Sequence, residues 1–294
     1  PPSIRYGEEG VTLLKKLQWS FGILLFFFVL PVIAGQLPFN KQASTPIKQS
    51  EDKQVVFAAT NLAEQSVLEQ TKEPEPDQAL DPDPFKVLVL FTHTHEAYEP
   101  MVKAVSGKVA TSHETVNIMS LKDKIVNHFN VNGLKTDVLD VDIMKKLQEE
   151  GKGYHESYNV MRPYLSKHLE TNNYDLIVDL HRDSLKHDLT TISYNGENYA
   201  KIAIVVGAEH ANYRWNTAYA ESLSSTLNAI VPKISKGVIS KSGDGVDGRY
   251  NQDLAKQMMI IEIGGIGNTE EEVNRTIAVI GKAISKAFVN DSTK

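Results

Sequence analysis

The feature that most constrains the fold of this chain is a set of short, apolar segments separated by stretches with helical spacing. The apolar segments are Lys86–Phe91, Asp175–Leu180, Ala200–Val206 and Met258–Ile263, and Leu134–Asp140 resembles a further strand. Uniformly apolar strands are typical of a parallel sheet that is covered on both faces. The alternation therefore predicts an α/β fold in which a mainly parallel, twisted sheet is flanked by helices on both faces.

The segments between these strands carry helical signals. Helical spacing marks residues 117–133, 157–170 and 212–230, and the segment after Thr269. Thr269 and Glu272 have the spacing of a capping box, which predicts the start of a C-terminal helix. Pro163 falls inside the second helical stretch, and it predicts either a kink or a late start, because proline lacks the backbone N–H that a helix interior needs.

The composition excludes several kinds of site. The chain has 294 residues, a formal net charge of −6 and no cysteine. Without cysteine there can be no disulfide, no thiolate metal site and no thiol nucleophile, so any metal must be held by His, Asp or Glu. The negative charge argues against nucleic acid as a partner, because non-specific binding needs a basic surface.

The N-terminal third differs in character from the rest. Residues 17–35 form an uncharged apolar run preceded by Lys15 and Lys16, which predicts a transmembrane anchor with residues 1–16 as a cytoplasmic tail. A signal peptide cleaved after Ala34 is the alternative, and both place the following chain outside the cytoplasm. Residues 36–84 are rich in proline and acidic residues and predict a disordered linker. Residues 85–294 remain as the part of the chain able to form a folded domain.

Three predicted strands end at residues suited to metal binding or acid–base chemistry. The first runs into Thr92-His93-Thr94-His95-Glu96, the second into His181-Arg182-Asp183, and the last carries Glu262. The carboxyl ends of parallel strands lie at one edge of an open α/β sheet, where ligands bind. These side chains are therefore expected to meet at that edge.

Such a set suits hydrolysis at a zinc ion, which takes about three protein ligands and an open position for water. His93 and His181 are the predicted histidine ligands, and the third is Glu96, with Glu114 as the alternative. Glu262 is the predicted general base, because an unpaired carboxylate is costly in an apolar strand.

The neighbouring polar residues are expected to support the site or bind substrate. They are His95, Arg182, Asp183, Arg249 and Asn251. Asp183 could orient His181, in the way that carboxylates often hold metal-binding histidines. Glu262 could alternatively be a buried salt-bridge partner of Arg182 or Arg249.

At these residues the chain resembles the stage II sporulation protein P family, which comprises membrane-anchored cell-wall hydrolases of endospore-forming bacteria. The resemblance covers about Phe85 to the C-terminus. It is carried by Thr92–Tyr98, Asp179–Ser184, Val206-Gly207 with Asn212 and Asn216, Arg249–Leu254, and Ile261–Gly265 with Asn268-Thr269. The segment Gly153–Tyr158 differs from the family's usual aromatic-rich stretch.

The resemblance implies a zinc-dependent N-acetylmuramoyl-L-alanine amidase, which also has endopeptidase activity, that remodels peptidoglycan during engulfment. It also implies that stage II sporulation proteins D and M are partners, and that the catalytic domain lies between the forespore and mother-cell membranes. Carried over, His93 and His181 match the family's histidine ligands, and Glu262 matches its catalytic glutamate. In related amidases the third ligand precedes the first helix, where Glu114 lies, whereas Glu96 belongs to this family's own histidine loop.

Two other functions are compatible with the same sequence. One is a zinc endopeptidase that cuts only the peptide crosslinks. The other is a non-catalytic scaffold that binds peptidoglycan. The products of wall digestion distinguish the enzymes from each other, and the metal content distinguishes both from the scaffold.

Overall fold

The structure is a computed structural model, and it describes residues 83–289. The predicted cytoplasmic tail, the anchor at residues 17–35 and all but the end of the linker at 36–84 lie outside these residues. Between residues 83 and 289, no helix combines the length and apolar character needed to cross a membrane.

Eight strands and seven α-helices are defined within this part of the chain. The strands are β1 Lys86–Leu90, β2 Lys135–Val138, β3 Leu176–Asp183, β4 Thr191–Tyr194, β5 Glu197–Ala200, β6 Ile202–Gly207, β7 Ser235–Lys241 and β8 Met258–Gly265. The helices are α1 Glu99–Ser106, α2 Lys122–Asn130, α3 Ile143–Glu149, α4 Ser157–Thr171, α5 His187–Thr190, α6 Tyr213–Ile230 and α7 Glu270–Ile284. Short 3-10 turns occupy Met119–Leu121, Tyr154–Glu156 and Gln252–Leu254, and a π-helical turn follows at Ser285–Val289.

The main sheet has six strands in the order β2-β1-β3-β8-β6-β7. The first four are mutually parallel, β6 is antiparallel to β8, and β7 is parallel to β6. Strands β4 and β5 form a separate antiparallel hairpin. The predicted mainly parallel sheet is thus confirmed, with a reversal of direction between β8 and β6.

Helices cover both faces of the sheet, as predicted. Side chains from α2, α6 and α7 belong to one core cluster, together with Val87 and Val89 of β1. Side chains from α3 and α4 belong to the other cluster, together with Leu88 and Leu90 of the same strand. Because successive residues of a strand point to opposite faces, the fully apolar β1 can bury both of its sides.

Helix α4 coincides with the helical stretch predicted at residues 157–170. It begins at Ser157 and continues through Pro163 to Thr171, so of the two alternatives drawn from this proline the late start is excluded. A proline removes one backbone hydrogen bond, and the buried face formed by Val160, Met161 and Leu165 compensates for that loss.

The start of α7 gives a direct stability prediction. Thr269 Oγ1 accepts a hydrogen bond from the backbone N–H of Glu272, and Glu272 Oε2 accepts one from the N–H of Thr269, which confirms the predicted capping box. Replacing Thr269 with Ala should lower the free energy of unfolding by about 1 kcal/mol, because one of these N–H groups loses its acceptor. Urea unfolding measures the change. Thr269→Ser should stay close to wild type, and an equal loss in both variants would contradict a capping role.

Candidate metal centre

The carboxyl ends of β1, β3 and β8 meet at one edge of the sheet, because these three strands are mutually parallel. The loop after β1 carries His93 and Glu96, and β3 carries His181 near its end. Glu262 of β8 lies directly opposite His181 in the strand register. The topology therefore brings together the residues that the sequence places far apart.

Three of the predicted site residues form a compact cluster. One ligand atom from each of His93, Glu96 and His181 lies within 4.8 Å of the other two. His93 Nδ1 is 3.3 Å from Glu96 Oε1, and His181 Nδ1 is 3.6 Å from Glu96 Oε2. Two imidazole nitrogens and a carboxylate at these separations are a suitable donor set for a divalent metal ion.

Of the two glutamates considered for the third position, only Glu96 belongs to this cluster. A turn places it there, since its backbone N–H donates to the carbonyl of His93 at 3.0 Å. The backbone N–H of Arg182 then donates to Glu96 Oε2 at 2.8 Å. Glu114 is exposed in the loop before the first 3-10 turn and does not line the cavity at this edge.

The electrostatics of the cluster keep Glu96 ionised. Burial alone would raise the pKa of its carboxyl group, but His181 and His93 outweigh burial, and the pKa is lowered. Burial is also the largest influence on His93 and lowers the pKa of its imidazole, although the hydrogen bond to Glu96 opposes this effect. A neutral imidazole and an ionised carboxylate are the forms that bind metal.

Asp179 supports His181 from behind. It is fully buried, and both of its carboxylate oxygens accept hydrogen bonds from Thr92, at 2.9 Å from the backbone N–H and 2.6 Å from the hydroxyl. His181 Nε2 lies 3.1 Å from Asp179 Oδ1, close enough for an ion pair but at an angle that is poor for a hydrogen bond. This contact favours a proton on Nε2, which leaves Nδ1 facing the cluster.

The role expected for Asp183 is therefore taken by Asp179. Residues two apart on a strand share a face, so Asp179 and His181 lie together, and Asp183 follows an irregularity in the β3–β8 pairing. Asp183 instead pairs with Lys236 at 2.7 Å. Asp179 falls within a run otherwise made of Leu, Ile and Val, and a carboxylate in such a run is the sequence signal that could have identified it.

Neutralising Asp179 should weaken metal binding. We expect Asp179→Asn to reduce zinc affinity about 10–100-fold, the usual effect of losing a partner that orients a metal-binding histidine. Competition with a chromophoric chelator measures the affinity. Asp137→Asn is the matched control. Asp137 lies on the outer strand β2, away from the cluster, and accepts a hydrogen bond from the Tyr174 hydroxyl. Equal affinities in the two variants would show that Asp179 does not act on His181.

Glu262 is a largely buried carboxylate without an ionic partner among residues 83–289. The alternative interpretation as a salt-bridge partner of Arg182 or Arg249 is therefore not what the structure shows. Burial raises the pKa of Glu262 to about 7, and the nearby charges of Glu96 and Asp183 add to this effect against the opposing influence of His181. A group with a pKa near neutrality can both accept and release a proton at working pH.

A glycine lets β8 approach the loop after β3 closely. A Cβ atom on Gly265 would lie 2.1 Å from the carbonyl oxygen of Leu185, which no side chain could tolerate. The backbone N–H of Ile266 donates to the same carbonyl at 3.0 Å. This contact fixes the end of β8, and hence Glu262, beside the loop that follows β3, the strand that carries His181.

Two of the supporting residues brace the loops around the cluster. His95 Nε2 lies 3.0 Å from Asp142 Oδ2, and Asp142 also caps helix α3, so His95 ties its loop to that helix. The guanidinium of Arg182 donates to the carbonyls of Thr111 and Asp183 at 2.8 and 3.0 Å. Its buried Nε has no hydrogen-bond partner in the described part of the chain.

The residues taken from the Arg-Tyr-Asn stretch lie further out. Asn251 is buried and donates to the carbonyl of Tyr158 at 2.9 Å, and it accepts a hydrogen bond from Arg162. Arg249 is exposed and does not line the cavity. Neither residue belongs to the cluster or lines the cavity, and Asn251 acts through Tyr158, which does line it.

A cavity of about 690 Å³ opens over the cluster, and three tyrosines that sequence reasoning did not single out line it. The Tyr154 ring stacks on His93 with 4.3 Å between centroids. The Tyr158 ring lies edge-on to His93 at 5.5 Å and to Tyr250 at 5.1 Å. The rings of Tyr154 and Tyr158 thus form the wall of the cavity next to His93.

The fold and the site define an α/β protein with a candidate metal centre beside a buried glutamate. The model of the stage II sporulation protein P (SpoIIP) family matches residues 32–285, so the chain belongs to this family. Stage II sporulation protein P of Bacillus subtilis (strain 168) is 31% identical over 232 residues, which are 78% of this chain and 58% of that protein. The chain thus spans little more than half the length of this relative.

Solved structures also show similarity. The CwlD amidase from Clostridioides difficile, in complex with the GerS lipoprotein, has a TM-score of 0.47 at 15% identity and covers 70% of this chain and 100% of its own. An N-acetylmuramoyl-L-alanine amidase from Clostridium difficile 630 has a TM-score of 0.42 at 12% identity, covering 72% and 99%. At these scores neither structure bears on the assignment of the site.

Proposed function

We propose that this chain is a zinc-dependent peptidoglycan hydrolase, specifically an N-acetylmuramoyl-L-alanine amidase that acts during sporulation. The observation that carries the proposal is the convergence of His93, Glu96 and His181 in an open cavity beside Glu262, which has no ionic partner in the described part of the chain. Membership of the stage II sporulation protein P family supports the sporulation role.

The donor set favours zinc over other common metal ions. Calcium and magnesium prefer six or more oxygen ligands, whereas two imidazole nitrogens and one carboxylate suit zinc with a position left open. When bound, zinc supplies Lewis-acid activation of water and of the scissile carbonyl. His93, Glu96 and His181 would hold it, and Asp179 would keep His181 in the tautomer that presents Nδ1.

The remaining chemistry falls to Glu262. Water attacks the lactyl carbonyl carbon, and the bond from that carbon to the alanine nitrogen breaks. The products are a lactyl carboxylate on the sugar and a peptide with a free amino terminus. Glu262 takes a proton from the attacking water and delivers one to the departing nitrogen, which a carboxyl with a pKa of about 7 can do in both directions.

Digestion of purified peptidoglycan tests the activity. The full chain, loaded with zinc, should release peptides and leave peptide-free glycan strands, as detected by mass spectrometry of the soluble products. A chelator should stop the release. Products cut only within the peptide crosslinks would show an endopeptidase instead, and wall binding without release or bound zinc would show a scaffold.

The location and partners are part of the proposal. The apolar run at residues 17–35 supports an uncleaved anchor with the catalytic domain outside the cytoplasm. Carbonate extraction of membranes should leave an anchored chain in the pellet, whereas cleavage after Ala34 would release it. Stage II sporulation proteins D and M are proposed partners, and failure of either to co-purify from sporulating cells would remove it from the proposal.

A further inference from the structure

The cavity extends well beyond the metal cluster, across a part of the sheet that no core cluster includes. Ala203 and Val205 of β6, Ile239 of β7 and Ile260 of β8 line the cavity and belong to neither core. In the strand register Ala203 lies opposite Glu262, Val205 opposite Ile260, and Ile239 opposite Val205. An apolar floor therefore continues from Glu262 across two neighbouring strands.

Lys241 stands at the far end of this floor. It follows Ile239 by two residues on β7, so it shares the face that lines the cavity, and it lies opposite Gly207 in the register. Its ammonium group makes no hydrogen bond or ion pair with any residue between 83 and 289. Lys236 of the same strand, by contrast, pairs with Asp183 at 2.7 Å.

The two ends of the cavity thus have opposite character. Glu96 and Glu262 lie at the metal end, the middle is apolar, and an unpaired cation lies at the other end. The whole chain carries a formal net charge of −6, so a cation in this cavity with no partner among residues 83–289 runs against the overall charge. An extended ligand with a hydrolysable amide at one end and a carboxylate at the other would complement this arrangement.

The distance between Glu262 and Lys241 fits a short peptide. Two strand spacings of about 4.8 Å and four residues at about 3.3 Å put the backbones of Glu262 and Lys241 roughly 16 Å apart. With the lysine side chain extended toward Glu262, a gap on the order of 10 Å remains, which three extended residues span at about 3.4 Å each. A carboxylate on the second or third residue beyond the scissile bond would therefore reach the ammonium group.

We propose that Lys241 is a specificity-determining residue that binds a free carboxylate of the substrate's peptide. The ligand that occupies the cavity is an acidic peptide, and the same peptide with amidated carboxylates should bind less tightly. The inference rests on the proposed function, which places the scissile amide of the peptide at the metal end and its carboxylate toward Lys241. Stem peptides of peptidoglycan carry carboxylates on glutamate and diaminopimelate, and these are the groups that amidation removes.

Binding without turnover tests the inference apart from the activity. The probes are the tripeptide Ala-γ-Glu-diaminopimelate with free carboxylates and the same tripeptide with those carboxylates amidated. Calorimetry is done on the full chain carrying Glu262→Gln, so that hydrolysis does not contribute to the measured heat of binding. We expect the acidic tripeptide to bind about two- to fivefold more tightly, as one partly exposed charge pair would provide.

Variants of the lysine show whether it is the source of that preference. Adding Lys241→Met, which keeps the length and removes the charge, should abolish the preference, whereas Lys241→Arg should retain it. Lys167→Met is the matched control, because Lys167 is exposed on α4 and outside the cavity. Equal affinity for the two tripeptides, or a preference that survives Lys241→Met, would overturn the inference.

Turnover separates this inference from the proposed function. In the zinc-loaded chain that keeps Glu262, Lys241→Met should raise KM for an acidic muropeptide about two- to fivefold, with kcat unchanged within error. The KM for amidated muropeptides should not change. An equal change with both substrates would overturn the role of the charge. Absence of all turnover, with the binding preference intact, would overturn the amidase assignment and support the carboxylate site.

Discussion

Glu262→Gln is expected to keep its metal and to lose hydrolytic activity by at least about a hundredfold, the usual contribution of a general acid–base group. Glutamine has nearly the same shape as glutamate but cannot accept or deliver a proton. Glu262 is not one of the three residues whose ligand atoms converge, so the metal should remain bound. The rate of peptide release from cell wall measures the activity, and elemental analysis measures the metal.

The same substitution on the surface controls for nonspecific effects. Glu221 is exposed on α6, away from the cavity, and Glu221→Gln should leave both measurements unchanged. If Glu262→Gln loses its zinc, Glu262 is a ligand rather than a base. If it retains activity within a few fold of wild type, the proton transfer assigned to Glu262 occurs elsewhere.

Glu96→Gln should reduce zinc affinity by more than about a hundredfold, which exceeds the loss expected for a residue that only supports a ligand. The carboxylate lies 3.3 Å from His93 Nδ1 and 3.6 Å from His181 Nδ1, so it provides the charged donor between the two histidines. Replacing it with a neutral amide removes that charge from a buried site. Chelator competition measures the affinity, and activity should fall with it.

Glu114→Gln is the matched control, because Glu114 is the other candidate for the third ligand and receives the same substitution. Its side chain is exposed and outside the cluster, so zinc affinity should remain that of wild type. A loss of zinc in Glu114→Gln with normal affinity in Glu96→Gln would reverse the assignment. It would mean that the loop of residues 107–118 moves when the metal binds.

The parallel part of the sheet could be predicted because β1, β3 and β8 are apolar on both faces. This pattern occurs when helices cover both sides of a strand. Strand β7 could not be predicted because polar residues and a glycine interrupt its apolar residues; these are Ser235, Lys236, Gly237 and Lys241. Its pairing with β6 joins segments that are distant in sequence, which no local pattern reveals. An apolar run also carries no information on direction, so the antiparallel pairing of β6 with β8 could not be inferred.

The site was predictable as far as it follows from strand ends. His93, His181 and Glu262 follow or lie within apolar strands, and the rule for α/β sheets brings such positions together. The choice between Glu96 and Glu114 depends on a turn and on one backbone N–H from Arg182, neither of which the spacing reveals.

The shape of the cavity near Lys241 depends on close contacts between parts of the chain that are distant in sequence. A Cβ atom on Gly207 would lie 2.4 Å from the carbonyl oxygen of Gly248, so the end of β6 fits tightly against the loop that carries Tyr250. The sequence shows the two glycines but not that they meet. Lys241 and Tyr250 consequently enter the cavity through contacts that no local pattern encodes.

The most direct test of the central claim is the hydrolytic activity of the metal-stripped full chain as zinc is added back. The account predicts no peptide release from purified cell wall in the stripped protein, and full recovery once one zinc ion is bound per chain. Release of peptides by the stripped protein would contradict a metal-dependent site at His93, Glu96 and His181.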